Sequence, residues 1–192
     1  RVRRVVFKAA SNGLVQYSPA SQDHSLLTRQ ADSTWVRSYR NGTQVFFDSL
    51  GRQAALLDRV GRQVAYSYNA QGQLALITDP VGQSITYNYS GNKLDNIVDP
   101  AGRQTRFFYA GDYLTQVLYP DGNSKHFNYN TKGFLIEEKN ERNFSTHYAY
   151  NSFNRLSTVT RPDNNVISVN DAVNSTMGNN FTGGTIGQLK SY

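Results

Sequence analysis

Val64-Ala65-Tyr66-Ser67-Tyr68-Asn69-Ala70-Gln71-Gly72-Gln73-Leu74-Ala75-Leu76-Ile77-Thr78-Asp79-Pro80-Val81-Gly82 is one unit of a pattern that recurs through most of the chain. Val64, Tyr66 and Tyr68 alternate with Ala65 and Ser67, the period-two signature of a half-buried strand. Asn69 to Gly72 reads as a turn, in which Asn bonds its own backbone and Gly tolerates positive φ. Leu74 to Thr78 is a second strand, and Asp79-Pro80-Val81-Gly82 a second turn. Outward from this unit, aromatic pairs recur at Tyr87 and Tyr89, Phe107 and Tyr109, Phe127 and Tyr129, and Tyr148 and Tyr150. The second aromatics step by 21, 20, 20 and 21 residues, and Phe47 extends the ladder upstream. Leu74, Leu94, Leu114, Leu135 and Leu156 form a second column, and the turn glycines Gly82, Gly102 and Gly122 a third, with Gly72 closing the other turn. Fixed-period self-similarity signals stacked units that lean on their neighbours. Two strands and two turns in about twenty residues leave no room for a helix. The pattern predicts an all-β fold, an antiparallel meander of stacked β-hairpins. The aromatic columns are expected side by side, about 5 Å apart, covering one another along the sheet.

Composition agrees. Thirteen Tyr and ten Phe offset a thin aliphatic complement and a mean hydropathy of −0.58. There is no Cys, which excludes a disulfide framework and thiolate chemistry and fits a bacterial or intracellular protein. No apolar run approaches the length of a membrane span. The net charge of +6 is concentrated in Arg1, Arg3, Arg4 and Lys8. Only Arg103 and Arg106 come close together within a repeat, so the basic array that a nucleic-acid groove needs is not present.

Three segments are expected: N-terminal hairpins over 1–44, the repeats over 45–165, and an Asn/Gly/Thr-rich segment over 166–192. Trp35 to Phe47 reads as a hairpin around Asn41-Gly42, and Val2 to Tyr17 as another turning at Asn12-Gly13. Unit five departs from the pattern, with Glu138 where other units carry Ile77, Ile97, Val117 and Val159.

Phe47-Asp48-Ser49-Leu50-Gly51-Arg52, Tyr68-Asn69-Ala70-Gln71-Gly72-Gln73-Leu74 and Asp99-Pro100-Ala101-Gly102-Arg103 resemble the YD-repeat, or Rhs-repeat, family over about residues 45–165. The Asp that follows the Tyr in that family survives only as Asp48; Asn69, Ser90, Ala110, Asn130 and Asn151 replace it. The resemblance implies a strip of hairpins coiling into a hollow shell. In bacterial Rhs and toxin-complex proteins such a shell encloses a toxic C-terminal domain, and related animal repeats serve cell-surface adhesion. It further implies a secreted or cell-surface bacterial protein, exported by a dedicated secretion system, whose partners are the remaining repeats and the enclosed toxin. Five or six units cannot close a shell, so the chain is expected to be a section of something larger or, if isolated, to dimerise through its open edges. The family's self-cleavage motif resembles Asp79-Pro80-Val81-Gly82-Gln83 and Asp99-Pro100-Ala101-Gly102-Arg103, but both lack its final Leu and fall inside ordinary repeats.

No catalytic constellation is legible, and no cofactor is implied. His126 and His147 stand 21 residues apart, in equivalent places expected to face each other on neighbouring strands; with His24 remote and no Cys, a metal site lacks ligands. Asp58, Asp79 and Asp99 form a column read as turn acceptors rather than as acid–base or Ca²⁺ groups. A rival to the structural role is a carbohydrate-binding or adhesion module, with Tyr66, Tyr87 and Tyr109 as stacking platforms if they face water.

Overall fold

The computed structural model describes residues 24–169, together with the backbone of two strands ahead of them, β1 (Phe7–Ala9) and β2 (Gln16–Pro19). Strands β3 (Leu26–Arg29), β4 (Trp35–Ser38), β5 (Gln44–Phe47), β6 (Gln53–Leu57), β7 (Gln63–Tyr68) and β8 (Leu74–Thr78) follow. The array continues through β9 (Ser84–Ser90), β10 (Lys93–Val98), β11 (Gln104–Ala110), β12 (Tyr113–Leu118) and β13 (Ser124–Tyr129). It ends with β14 (Leu135–Lys139), β15 (Ser145–Tyr150), β16 (Leu156–Thr160) and β17 (Val166–Ser168). Each strand pairs antiparallel with the next in chain order, giving one open 17-stranded meander without helices among the described residues. The hairpin around Asn41-Gly42 forms as expected, Trp35 opposite Phe47. In the N-terminal hairpin Ala9 pairs with Tyr17, while its turn at Asn12-Gly13 and the segment after Val169 lie outside the described residues.

The turns show why Asn can replace Asp in the repeat. In the loop Asp48 to Arg52, the Gly51 amide donates to the Asp48 carbonyl (3.0 Å) and the Asp48 amide to the Arg52 carbonyl (2.9 Å). The Asp48 carboxylate accepts from the Leu50 and Arg52 amides at 3.0 and 2.8 Å. Asn69 does the same through its side-chain oxygen, accepting from Gln71 and Gln73 at 3.1 and 2.9 Å, and Asn130, Asn140 and Asn151 repeat it. A side-chain oxygen suffices; a charge is not required. Asp58, Asp79 and Asp99 hold the opposite ends of the strands in the same manner, as turn acceptors. Where the chain has Ser90 or Ala110 instead, the loop shrinks to two residues, Gly91-Asn92 and Gly111-Asp112, with the glycine at positive φ in the first central position.

Each hairpin of the repeat region carries a bulge. Tyr68 pairs with Leu74 and Ser67 with Leu76, leaving Ala75 as the extra residue. Leu74 and Ile77, three apart, thereby share one face with Tyr66 and Tyr68, a placement that strict alternation forbids. Equivalent shifts occur after Phe46, between Leu94 and Asn96, and after Phe108, Asn128 and Ala149. Register also advances uniformly. Tyr66 lies opposite Ile77 and Ile77 opposite Ile85, so the row ends two residues short of the equivalent Tyr87. The same two-residue offset separates Thr105 from Phe107, Lys125 from Phe127, and Thr146 from Tyr148.

The expected 5 Å aromatic ladder does not form. A repeat contributes two strands, so the aromatic columns occupy alternate strands, β7, β9, β11, β13 and β15, with the aliphatic column between them. At roughly 5 Å per strand they lie about 10 Å apart. Nor do the described residues form a second layer. Among the described residues only Val45 and Val117 are buried hydrophobics. Along β11, Thr105, Phe107 and Tyr109 are partly covered while Gln104, Arg106, Phe108 and Ala110 are exposed, so the aromatic face is the better sheltered one.

The turn geometry generates two expected outcomes. Gly102 has φ 78°, and a Cβ there would meet nothing within 4 Å, so Gly102→Val should cost about 1–3 kcal/mol through backbone strain alone; an unchanged urea midpoint would contradict it. Hydrogen bonds from the Arg62 and Arg103 backbones, outweighing partial desolvation, hold Asp58 and Asp99 below the usual carboxylate range. Their contribution is present above the ordinary Asp value of about 3.9 and is lost as pH falls through the lowered folded value. The double replacement Asp58→Asn and Asp99→Asn should therefore flatten the acid limb of a stability–pH profile; an unaltered limb would refute this.

Candidate functional site

The residues that carry the repeat converge at the seams between successive hairpins. Within a hairpin the ladder runs nearly the whole strand length. Between hairpins it is short: β8 and β9 share three pairs, Leu76–Thr86, Ile77–Ile85 and Thr78–Ser84. The seams β6–β7, β10–β11, β12–β13, β14–β15 and β16–β17 likewise have three. Beyond those pairs, at the bulged end, the hairpins separate. A carbonyl there faces no strand partner, and leaving such a group unsatisfied carries a desolvation cost.

At three seams a tyrosine hydroxyl supplies the partner. Tyr68 donates to the Gln53 carbonyl at 2.8 Å, Tyr109 to Leu94 at 3.0 Å and Tyr150 to Leu135 at 2.8 Å. The two columns most visible in the sequence, the second aromatic and the Leu, thus meet across a seam, fifteen residues apart, at Tyr109–Leu94 and Tyr150–Leu135, with Gln53 in the Leu place opposite Tyr68. At Tyr68, Tyr109 and Tyr150 the bond gives the second aromatic a reason to be Tyr, whereas the first is Tyr or Phe; the Tyr89 and Tyr129 hydroxyls make no such bond among the described residues.

A further column, which the sequence reading missed, covers the same rings. Arg52 places its guanidinium 4.5 Å from the Tyr68 ring centroid while bonded to Asp48 at 2.7 Å. Lys93 sits 5.6 Å from the Tyr109 centroid, pairs with Asp112 at 3.1 Å and also donates to the Gly111 carbonyl. Tyr113 packs tilted on Tyr129 with centroids 5.0 Å apart, and Phe134 stacks on Tyr150 at 4.9 Å. Each covering residue precedes its ring by sixteen positions. Two cations and two aromatics perform one task, so residue identity hides the column; only its fixed offset betrays it. Cation–π and aromatic contacts each contribute on the order of 1 kcal/mol.

The three tyrosines considered as stacking platforms separate into two groups. Tyr66 and Tyr87 belong to the first aromatic column, opposite Ile77 and Ile97. Tyr109 belongs to the second, its hydroxyl bonded to Leu94 and its ring beneath Lys93. All three are partly covered. His126 and His147 do not face each other: β14 intervenes, so His126 lies opposite Gln116 and Lys139, and His147 opposite Glu137 and Thr160. The described residues hold no group of three or more His, Asp or Glu side chains suited to a metal ion. Glu138, the intruder in the aliphatic column, is matched by a second departure, Lys125, at 3.7 Å, and accepts from the Tyr148 hydroxyl at 3.2 Å. Burial, with the Glu138 charge adding to it, raises the Tyr148 phenol above its ordinary value.

Removing a seam hydroxyl should weaken the sheet where removing another tyrosine hydroxyl does not. Tyr109→Phe should cost about 1 kcal/mol, the net worth of one hydrogen bond, and Tyr87→Phe, whose hydroxyl has no partner among the described residues, less than about 0.5 kcal/mol. Urea denaturation distinguishes them, and equal shifts would contradict the seam assignment.

Comparison with known families places this geometry. Residues 47–84 and 129–173 match the family model described as RHS Repeat. Among curated proteins none matches the chain. The stretch between the two matches contains both shortened Gly turns, yet it continues the same hairpins, bulges and register. The two matched stretches are RHS repeats, the YD-repeat family that the sequence resembles.

Proposed function

We propose that this chain is a section of the wall of a bacterial β-shell that encloses a toxic C-terminal domain, exported to the cell surface or beyond by a dedicated secretion system. The observation that carries the reading is the uniform register: every repeat advances by two residues over two strands, always in the same direction. One residue of stagger per strand is the ratio at which eight strands close into a barrel tilted by about 36°. A sheet so sheared tends to coil rather than lie flat, and a bulge in every hairpin adds twist. The single layer fits as well. A wall one strand thick separates an inside from an outside, and each repeat is satisfied by its neighbours rather than by a second sheet. The partners are further repeats of the parent chain and the enclosed domain. The side chains in view act by holding shape, and no reaction is assigned to them.

The native product tests this. An antibody to residues 45–165, used with mass spectrometry on the source cells, should recover a protein many times larger than 21.6 kDa. Limited proteolysis should leave part of that product protected while the wall is intact. A stable native product near 21.6 kDa would overturn the reading.

A further inference from the structure

One seam differs from the others. Between the hairpins β7–β8 and β9–β10 the position that elsewhere holds Arg, Lys, Tyr or Phe is Gln73. Its amide does not lie on the Tyr89 ring. Instead it accepts from Asn69 at 2.8 Å and donates to the Gly91 carbonyl at 3.0 Å. The Tyr89 hydroxyl, unlike those of Tyr68, Tyr109 and Tyr150, has no hydrogen-bond partner among the described residues; Tyr129 shares that lack, but its ring is covered by Tyr113. What remains is a slot of about 530 Å³ whose lining includes Gln71, Gln73, Tyr89 and Asn92. That volume lies within the range of small-ligand sites. Its ten lining residues include no charged side chain.

We infer that this slot binds a neutral sugar ring stacked on Tyr89. The ring face left bare by Gln73 accepts an apolar C–H face, as the other rings accept Phe134 or the Lys93 stem. The side-chain amides of Gln71 and Asn92 make no hydrogen bond within the described residues, and each offers donors and an acceptor to sugar hydroxyls. The Tyr89 hydroxyl adds another. With no ionic partner in the lining, phosphorylated or acidic sugars gain nothing over neutral ones. The platform is Tyr89, not Tyr66, Tyr87 or Tyr109. The slot does not depend on the wall reading, since a wall with or without it has the same strands and register.

The test uses the full chain and three probes, methyl β-glucoside, methyl β-galactoside and N-acetylglucosamine, followed by saturation-transfer NMR and titration. At least one should bind saturably with the tyrosine ring as the source of transfer. Gln73→Phe, which fills the slot as Phe134 fills its own, should weaken that binding at least about tenfold without lowering the thermal midpoint. Asn92→Ala, in an exposed turn, should weaken it by a smaller factor and serves if the Phe variant misfolds. Absence of binding by all three probes, or binding unchanged in the variant that folds, overturns the inference.

Discussion

The seam carbonyl is the constraint on which the rest depends. A bulge places one extra residue in each hairpin and brings both the Leu and the Ile/Val columns onto the aromatic face. The same bulge ends the ladder to the next hairpin after three pairs, so a backbone oxygen at Gln53, Leu94 or Leu135 lies outside it. At these three, tyrosine of the following repeat (Tyr68, Tyr109 or Tyr150) answers that oxygen with its hydroxyl, and its ring is held down by a residue sixteen positions earlier. At the seams closed by Tyr68, Tyr109 and Tyr150, one hairpin therefore receives a tyrosine that the next one gives. Stability of such an array is a sum of unit and nearest-neighbour terms, and loss of one seam is a local event.

A one-layer sheet needs this arrangement because it has no conventional core. Side chains lying along the sheet take over the covering that a second layer provides elsewhere. Lys125 and Glu138 show how tolerant the scheme is: two charges entered the aliphatic rows together, and they meet each other and the Tyr148 hydroxyl. A single-layer sheet whose faces are only partly covered can accept such a pair, whereas a sandwich interior would not without a large desolvation cost.

Much of the fold was legible in the sequence because turn chemistry and periodicity are local. Asn-x-x-Gly and Asp-Pro-x-Gly mark the loops, and the Tyr and Leu columns mark the strands. The error came from the meaning of the period. Twenty residues make two strands, so equal columns cannot be adjacent, and both the aromatic ladder and the opposed His126–His147 pair fail for that one reason. The bulge was unreadable from alternation alone, although the three-residue spacing of Leu74 and Ile77 is its trace. The covering column stayed hidden since Arg52, Gln73, Lys93, Tyr113 and Phe134 share a place, not a chemistry. The candidate slot was likewise invisible: Gln73 is unremarkable until its neighbours in that column are known.

A density map of the native full-length product tests the central claim most directly. Residues 24–169 should appear as a coiled band one strand thick, with the Tyr68, Tyr109 and Tyr150 hydroxyls on the Gln53, Leu94 and Leu135 carbonyls. A second β layer packed against the aromatic face, with those hydroxyls turned elsewhere, would contradict it.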